Sequence, residues 1–164
     1  MATRSTIALE FADGTIGQVY CHWDGYLAHN GKMLQEYYSN PFILRDLIDL
    51  GDISSLKPTV GTKHDFSHFS TEMSQEQYTA LYGEMTTFYG RDRGETGVDK
   101  KSFVDFQDYL AHHQYEEYDY ILRNVDGKAT WFVSDHDGAY VELEGAIMDE
   151  QDRIAQEETA WLSY

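Results

Sequence analysis

The sequence predicts an α+β fold, with an antiparallel sheet of four to five strands and helices packed mainly on one face. Two Asp-Gly pairs, each lying between β-prone runs, predict hairpins. Apolar residues at helical spacing between these hairpins, and in a long acidic C-terminal segment, predict the helices. The chain of 164 residues, 15% of them aromatic, has the length and composition of a single folded domain spanning residues 1–164.

The predicted strands are short runs of β-branched and aromatic residues: Ser5–Phe11, Ile16–Trp23, Met85–Tyr89, Tyr118–Arg123 and Thr130–Val133. Asp13-Gly14 separates the first pair, and Asp126-Gly127 separates the last pair. Because Asp-Gly favours the tight turns that join antiparallel strands, we expect two hairpins and a further strand between them.

The predicted helices cover residues 30–39, 41–50, 74–81, 102–113 and 140–162. Asn40 is the expected N-cap of the second helix, with Pro41 at its first position and Gly51 at its end. Ser74 is the expected cap of the next helix, and Ser102 is the expected start of the helix after it. Residues 52–74 and 90–99 show neither the helical spacing of apolar residues nor the alternation of a strand, and we expect two polar loops there.

Charge is the feature that most restricts the partners. Acidic residues outnumber basic ones by 29 to 12, and the formal net charge is −17. Residues 102–164 hold 15 acids against 3 bases, which leaves −12 in this part alone. Such a surface repels nucleic acid and anionic membranes and attracts basic protein faces. We therefore expect a protein partner, with no direct binding to nucleic acid or to a membrane.

The single cysteine, Cys21, excludes an internal disulfide framework. The first residues contain no signal-peptide pattern, and no apolar run approaches the ~20 residues that cross a bilayer. We expect a cytoplasmic protein; its oligomeric state is left open between monomer and homodimer.

The last predicted helix is the first candidate site. Leu143, Ile147, Ile154 and Trp161 are spaced to form one apolar stripe. The candidate partner-binding residues are the acids of this segment and a group at the predicted sheet edge: Glu142, Glu144, Asp149, Glu150, Asp152, Glu157, Glu158, Glu116, Glu117 and Tyr118. Since duplex DNA carries about one charge per 1.7 Å, a dense row of carboxylates can occupy a surface meant for nucleic acid. DNA mimicry is the resulting hypothesis.

A second candidate site comes from the segment YCHWDGY. Strand alternation would place Tyr20, His22 and Asp24 on one face, close to Tyr26, where they could bind a small polar ligand. The alternative is structural, with Trp23 in the core and Asp24-Gly25 forming a turn.

The segment GRDRGE would complete this second site. Arg91 and Arg93 could hold a phosphate or carboxylate between them, with Glu95 nearby. Equally, Asp92 and Glu95 could neutralise both arginines. If the two segments meet, their residues form a pocket for a nucleotide-like molecule.

Other chemistry has little support in the sequence. His64 and His68, with Asp65 between them, have a spacing that could supply metal ligands on a helix, but the segment is expected to be a loop. The run Asp135–Gly138 lacks the later ligands of a calcium loop. With no motif for a nucleophile either, we expect no cofactor, no metal and no catalytic residues.

Several of these segments together resemble a family of small, mostly uncharacterised proteins of bacteriophages and prophages. The likeness rests on Ala2–Ser5, Tyr20–Tyr26, Asn30–Lys32, Leu47–Leu56 and Gly90–Glu95. The chain departs from the family at residue 27, where it has Leu and the family has Pro, and the acidic C-terminal segment lies outside the resemblance. The resemblance implies a phage setting, in which small acidic proteins often act on host machinery.

Three hypotheses follow. The first is a non-enzymatic, phage-encoded counter-defence inhibitor that binds a basic, nucleic-acid-handling face of a host protein. The second is a nucleotide-binding protein, such as a sponge for a defence signalling nucleotide, or a nucleotide hydrolase. The third is a structural or regulatory phage protein whose acidity serves only its solubility.

Overall fold

The computed structural model describes residues 2–64, 74–134 and 138–162. Within these ranges the strands are β1 Ser5–Glu10, β2 Ile16–Cys21, β3 Ile53–Ser55, β4 Thr87–Phe88, β5 Lys101–Phe103, β6 Tyr118–Val125, β7 Lys128–Ser134 and β8 Tyr140–Glu142. The helices are α1 Lys32–Tyr37, which continues a π-helical turn at Leu27–Gly31, then α2 Pro41–Asp49, α3 Gln75–Tyr82, α4 Phe106–His112 and α5 Leu143–Leu162.

The strands form one mixed sheet in the order β4-β3-β2-β1-β6-β7-β8, and β5 also pairs with β2. β1 runs antiparallel to β2 but parallel to β6, in a register from Ser5 opposite Tyr118 to Leu9 opposite Leu122. β2 and β3 are also parallel. The α+β class is therefore confirmed, whereas the purely antiparallel sheet of four to five strands was wrong.

Both hairpins form where their turns were predicted. β1 and β2 pair through a turn in which Asp13 Oδ1 accepts from the Thr15 backbone N–H at 3.0 Å. β6 and β7 pair through Asp126 and Gly127, whose φ angles of 52° and 83° both lie in the left-handed region. A two-residue turn of this kind matches the twist of the strands it joins.

The core lies on both faces of the sheet. The larger cluster packs β-strand residues such as Val19 and Leu122 against Leu34 of α1, Leu44 of α2 and Leu143 of α5. On the opposite face Tyr109 of α4 covers a smaller cluster. One face of the sheet therefore carries three of these helices and the other face carries one short helix.

Helix starts follow local side-chain chemistry. Asn40 Oδ1 accepts from the Phe42 N–H at 2.9 Å, and Ser74 forms a reciprocal capping box with Gln77. Ser102, predicted to begin a helix, lies instead in β5. The helix begins after Asp105, whose carboxylate accepts from the Asp108 N–H at 2.8 Å, because a carboxylate there satisfies an unpaired donor of the first turn.

Two further boundaries differ from prediction. The polar loop predicted over residues 52–74 contains β3, and residues 140–142, predicted as helix, form β8. Both strands have three residues and are held by pairing with distant parts of the chain. Such short strands carry too few residues for a periodicity to show.

Candidate functional site

Only the first two residues of the segment YCHWDGY, Tyr20 and Cys21, belong to strand β2. β2 ends at Cys21, after which the backbone N–H groups of His22 and Trp23 donate to the β3 carbonyls. Tyr20 Oη and His22 Nδ1 are 2.7 Å apart, but Asp24 has φ 57° and turns away from the strand. Trp23, expected in the core by the structural interpretation, is 44% exposed. Tyr20 and His22 are thus together, whereas Asp24 serves the turn.

The turn is packed against the N-terminal strand. The Gly25 N–H donates to Thr3 O at 2.8 Å, and Tyr120 Oη donates to Gly25 O at 2.6 Å. A Cβ atom on Gly25 would lie 2.7 Å from the Cβ of Ser5, so no side chain fits there without a backbone shift.

Buried Asn30 completes this arrangement. Its side-chain amide donates to Trp23 O at 3.1 Å and to Ser5 Oγ and Cys21 Sγ, each at 3.4 Å. Burial raises the pKa of Cys21 to about 12, so the thiol stays protonated and inert at neutral pH. Residues 3–5, 21–25 and 30 therefore meet as one structural unit.

The guanidinium of Arg91 is fully used within the protein. Its Nε and Nη2 donate to the two carboxylate oxygens of Asp92, at 3.0 and 3.2 Å. Its remaining N–H groups donate to carbonyl oxygens of Val60, Gly61 and Thr86 at 2.9 to 3.1 Å. An arginine has five N–H donors, and these contacts occupy all of them. Arg91 is positioned to hold its own loop together and has no donor left for a phosphate.

Asp92 is the centre of this network. Its side chain is 0% exposed, and it also accepts from the backbone N–H groups of His64 and Phe88, at 2.9 and 2.8 Å. Burial alone would raise the pKa of Asp92, but the hydrogen bonds from Arg91 and the two amides outweigh burial and lower it. The carboxylate is therefore ionised and paired.

Arg93 and Glu95 differ from Arg91 in being exposed. The Arg93 guanidinium lies over the Tyr89 ring, 5.3 Å from its centroid. Arg91 and His22 belong to separate contact networks.

Helix α5 is the most exposed large element of the described chain. Leu143 is buried, and Ala146 and Ile147 pack against the larger core cluster. From residue 151 to residue 162 every side chain is exposed. These residues, 151–162, are here named the arm. The 20 residues of α5 span about 30 Å, so more than half of its length extends beyond the domain that supports its first turns.

The predicted carboxylates divide into two groups. Glu144, Asp149, Asp152, Glu157 and Glu158 are exposed along α5, and Glu142 is exposed on β8 just before it. Glu116 and Glu117 precede β6, Tyr118 begins it, and all three are half-buried. The predicted sheet edge was wrong here, because β6 is paired with β1 on one side and with β7 on the other.

A shallow cavity of about 320 Å³ links the two groups, because Tyr118 and Glu150 both line it, together with Val133, Val141 and Ala146. Of the candidate partner-binding residues, Tyr118 and Glu150 therefore approach one another at the base of α5.

A buried acid beneath α4, Asp119, was not singled out in the sequence analysis. Asp119 is 1% exposed and accepts from Thr6 Oγ1 at 2.6 Å and from the Glu116 N–H at 3.1 Å. Burial raises the pKa of Asp119 to about 6. Nothing in the alternation of β6 distinguishes this acid from an exposed one, since only the covering segment of the chain buries it.

The candidate metal ligands lie only partly within the described residues. His68, Asp65 and residues 135–137 lie outside the described residues. His64 is 4% exposed and its ring stacks on Tyr82 at 4.7 Å. Among residues 2–64, 74–134 and 138–162, no group of three or more His, Cys, Asp or Glu side chains is arranged to hold a metal ion. None of the described helices combines the length and apolarity needed to cross a membrane.

Fold and surface together define a mixed-sheet α+β protein with a projecting acidic helix. No protein-family model matches this chain, and no match was found among the curated proteins or the solved structures.

Proposed function

We propose that this protein is a phage-encoded counter-defence inhibitor that binds a basic, nucleic-acid-handling face of a host protein through α5. The observation that carries the proposal is the arm: twelve consecutive exposed residues, 151–162, on a helix whose exposed turns are rich in carboxylates. An acidic protein of net charge −17 is attracted to a basic face over the Debye length of about 8 Å at physiological salt.

The charge density favours occlusion of a basic site over complete imitation of DNA. Between residues 143 and 162 there are six acids, Glu144, Asp149, Glu150, Asp152, Glu157 and Glu158, and one base, Arg153. Six charges over a helix of about 30 Å make roughly one per 5 Å, against about one per 1.7 Å in duplex DNA. The helix therefore reproduces part of the DNA charge, and its bulk would exclude the nucleic acid sterically.

Charge reversal tests this mechanism. The variant carries Glu142→Lys, Asp149→Lys, Glu150→Lys, Glu157→Lys and Glu158→Lys. We expect it to fold normally and to lose inhibition, because the attraction to a basic face becomes repulsion. The tagged protein is used to isolate its target from host cells at low salt and after a high-salt wash. Nucleic-acid binding by the purified target is then measured with and without each variant.

The matched control variant has the same net charge as the first variant, but its five substitutions lie on another surface. Asp46, Glu76, Glu84, Glu95 and Asp99 are exposed and lie outside α5 and β8. Lysine at these five positions should leave inhibition largely intact. If both variants inhibit equally, α5 is not the binding element.

The alternative proposal, a nucleotide sponge or hydrolase, keeps Tyr20, His22, Arg93 and Glu95 as accessible groups. It has less support because the five donors of Arg91 are occupied within the protein. Stabilisation by a cyclic or linear nucleotide in a thermal-shift screen would favour it over occlusion.

A further inference from the structure

The apolar face on which α5 packs continues beyond the domain. Leu143 is buried and Ile147 packs against the core, whereas Ile154 is 40% and Trp161 is 81% exposed. Positions 147, 154 and 161 recur every seven residues, close to two turns of ~3.6 residues, so these side chains share one face of the helix. The stripe that anchors the base of α5 therefore continues along the arm, where the described residues do not cover it.

We propose that this stripe, Ile147, Ile154 and Trp161, docks into an apolar groove on the partner that is flanked by lysine or arginine side chains. The inference rests on the proposed function and adds to it the shape and chemistry of the partner's site. A helix laid in a groove through residues spaced over successive turns is a recurrent mode of recognition. A large aromatic side chain such as Trp161 is typical of the residues that dominate such contacts.

The negative charge along the stripe favours a different protein over a second copy of this chain as the partner. Glu150 lies three residues after Ile147 and four before Ile154. Glu157 has the same relation to Ile154 and Trp161. Residues three and four apart are neighbours on a helix, so carboxylates alternate with apolar side chains along the stripe.

Two stripes packed together would bring these carboxylates into one seam. Arg153 is paired with Glu157 of its own helix, Nη1 to Oε1 at 2.8 Å, and the arm together with the first turns of α5 has six acids against this one base. Like charges facing each other oppose association. A groove with basic flanks instead covers the apolar side chains and neutralises the carboxylates.

Helix stability points in the same direction. The exposed side chains of the arm gain little from packing against the domain, and packing of an apolar face is the main source of helical stability in proteins. A groove that covers one face would stabilise the helix and bury Trp161 at the same time.

Synthetic peptides of defined pattern test the inference with the intact protein. The first probe is a three-heptad helical peptide with leucines on one face flanked by lysines. The second has the same composition in scrambled order, and the third replaces every lysine by glutamate. Fluorescence polarisation of each labelled peptide gives its dissociation constant at physiological salt. We expect the patterned leucine–lysine peptide to bind at least about tenfold more tightly than either of the others, which corresponds to about 1.4 kcal/mol.

Variants then assign the preference to the stripe. Ile154→Ala and Trp161→Ala should each reduce the preference for the patterned peptide at least about fivefold, in line with losses at interface anchors. Gln156→Ala, an exposed position on the opposite side of the arm, is the control and should not change it. Circular dichroism verifies that all three variants keep the helix.

The two proposals fail in different ways. Equal affinity for the patterned and the scrambled lysine peptides would overturn the apolar groove and leave the acidic interface standing. If the charge-reversed variant of α5 still bound the lysine peptides as wild type does, the proposed function itself would be contradicted. A dimer in sedimentation equilibrium that Trp161→Ala dissociates would show that a second copy covers the stripe, and would overturn the inference.

Discussion

Arg91 is a residue that the sequence suggests for anion binding but whose contacts in the structure are all within the protein. In the sequence it stands in a glycine-bearing loop beside a second arginine, a setting suited to anions. In the structure a buried carboxylate and three carbonyl oxygens take all its donors, and its guanidinium lies 4.5 Å from the Phe88 ring centroid. The contacts of this side chain thus favour the structural interpretation of the two that the sequence left open.

Removing Asp92 should therefore destabilise the protein strongly. Asp92→Ala leaves the Arg91 guanidinium, whose side chain is 14% exposed, without its carboxylate partner, and we expect a loss on the order of 3 kcal/mol in the free energy of unfolding. Arg93→Ala, in the same loop but exposed, is the matched control and should change it by less than about 0.5 kcal/mol. Urea denaturation measures both, and similar losses would contradict the buried network.

Asp119 should give the stability a characteristic dependence on pH. Its pKa is raised from 3.8 to about 6, so the folded state binds this proton more tightly than the unfolded state does. The resulting stabilisation is fully present below pH 4 and is lost as the pH rises through about 6.

The variant Asp119→Asn removes that titration. Relative to this variant, wild type should lose on the order of 2 kcal/mol of stability between pH 4 and pH 7, since one pKa unit corresponds to about 1.4 kcal/mol. Comparing wild type and variant cancels the effect of the remaining carboxylates. A constant difference between the two proteins across this range would show that Asp119 is not protonated in the folded state.

At the scale of elements, the sequence was informative wherever a structure is set by neighbouring residues. Asn40 before Pro41, and Ser74 before Gln77, form the helix starts that their side chains favour. Asp126-Gly127 forms the predicted hairpin turn. Each of these interactions joins residues a few positions apart, and so the local sequence contains it.

Elements that depend on distant pairing were missed. β5 pairs with β2 from Ile16 opposite Phe103 to Gln18 opposite Lys101, and β8 pairs with β7. A strand of three residues has no periodicity of its own and is stabilised by the strand beside it. Ser102 consequently resembles a helix cap in sequence and belongs to a strand in the structure.

The arm should contribute little to the stability of the domain. Deleting residues 151–162 removes only exposed side chains, while Leu143 and Ile147 remain to pack against the core. We expect the midpoint of thermal unfolding to change by no more than about 2 °C, and binding to the partner to be lost. Differential scanning calorimetry checks the first expectation; a large fall in the midpoint would mean that the arm supports the fold.

At the scale of the whole molecule, the segments near Gly25 and Asp92 differ from the acidic helix α5 in how they are attached to the sheet. Segments near Gly25 and Asp92 hold strands and loops together, whereas α5 is attached through its first turns and otherwise exposed. The sequence distinguished these regions by charge. It could not show which of them was structural, because that depends on contacts between residues far apart in the chain.

The central position of β1 has a consequence for synthesis on the ribosome. Thr6 and Asp119, hydrogen-bonded across β1 and β6, are separated by 113 positions. At about 5–20 residues per second, the nascent chain waits roughly 6 to 20 s before β6 exists. During that interval the first hairpin presents an unpaired inner edge to solvent, where chaperones or a neighbouring nascent copy can reach it. Translation speed between the two hairpins should therefore influence the yield of folded protein.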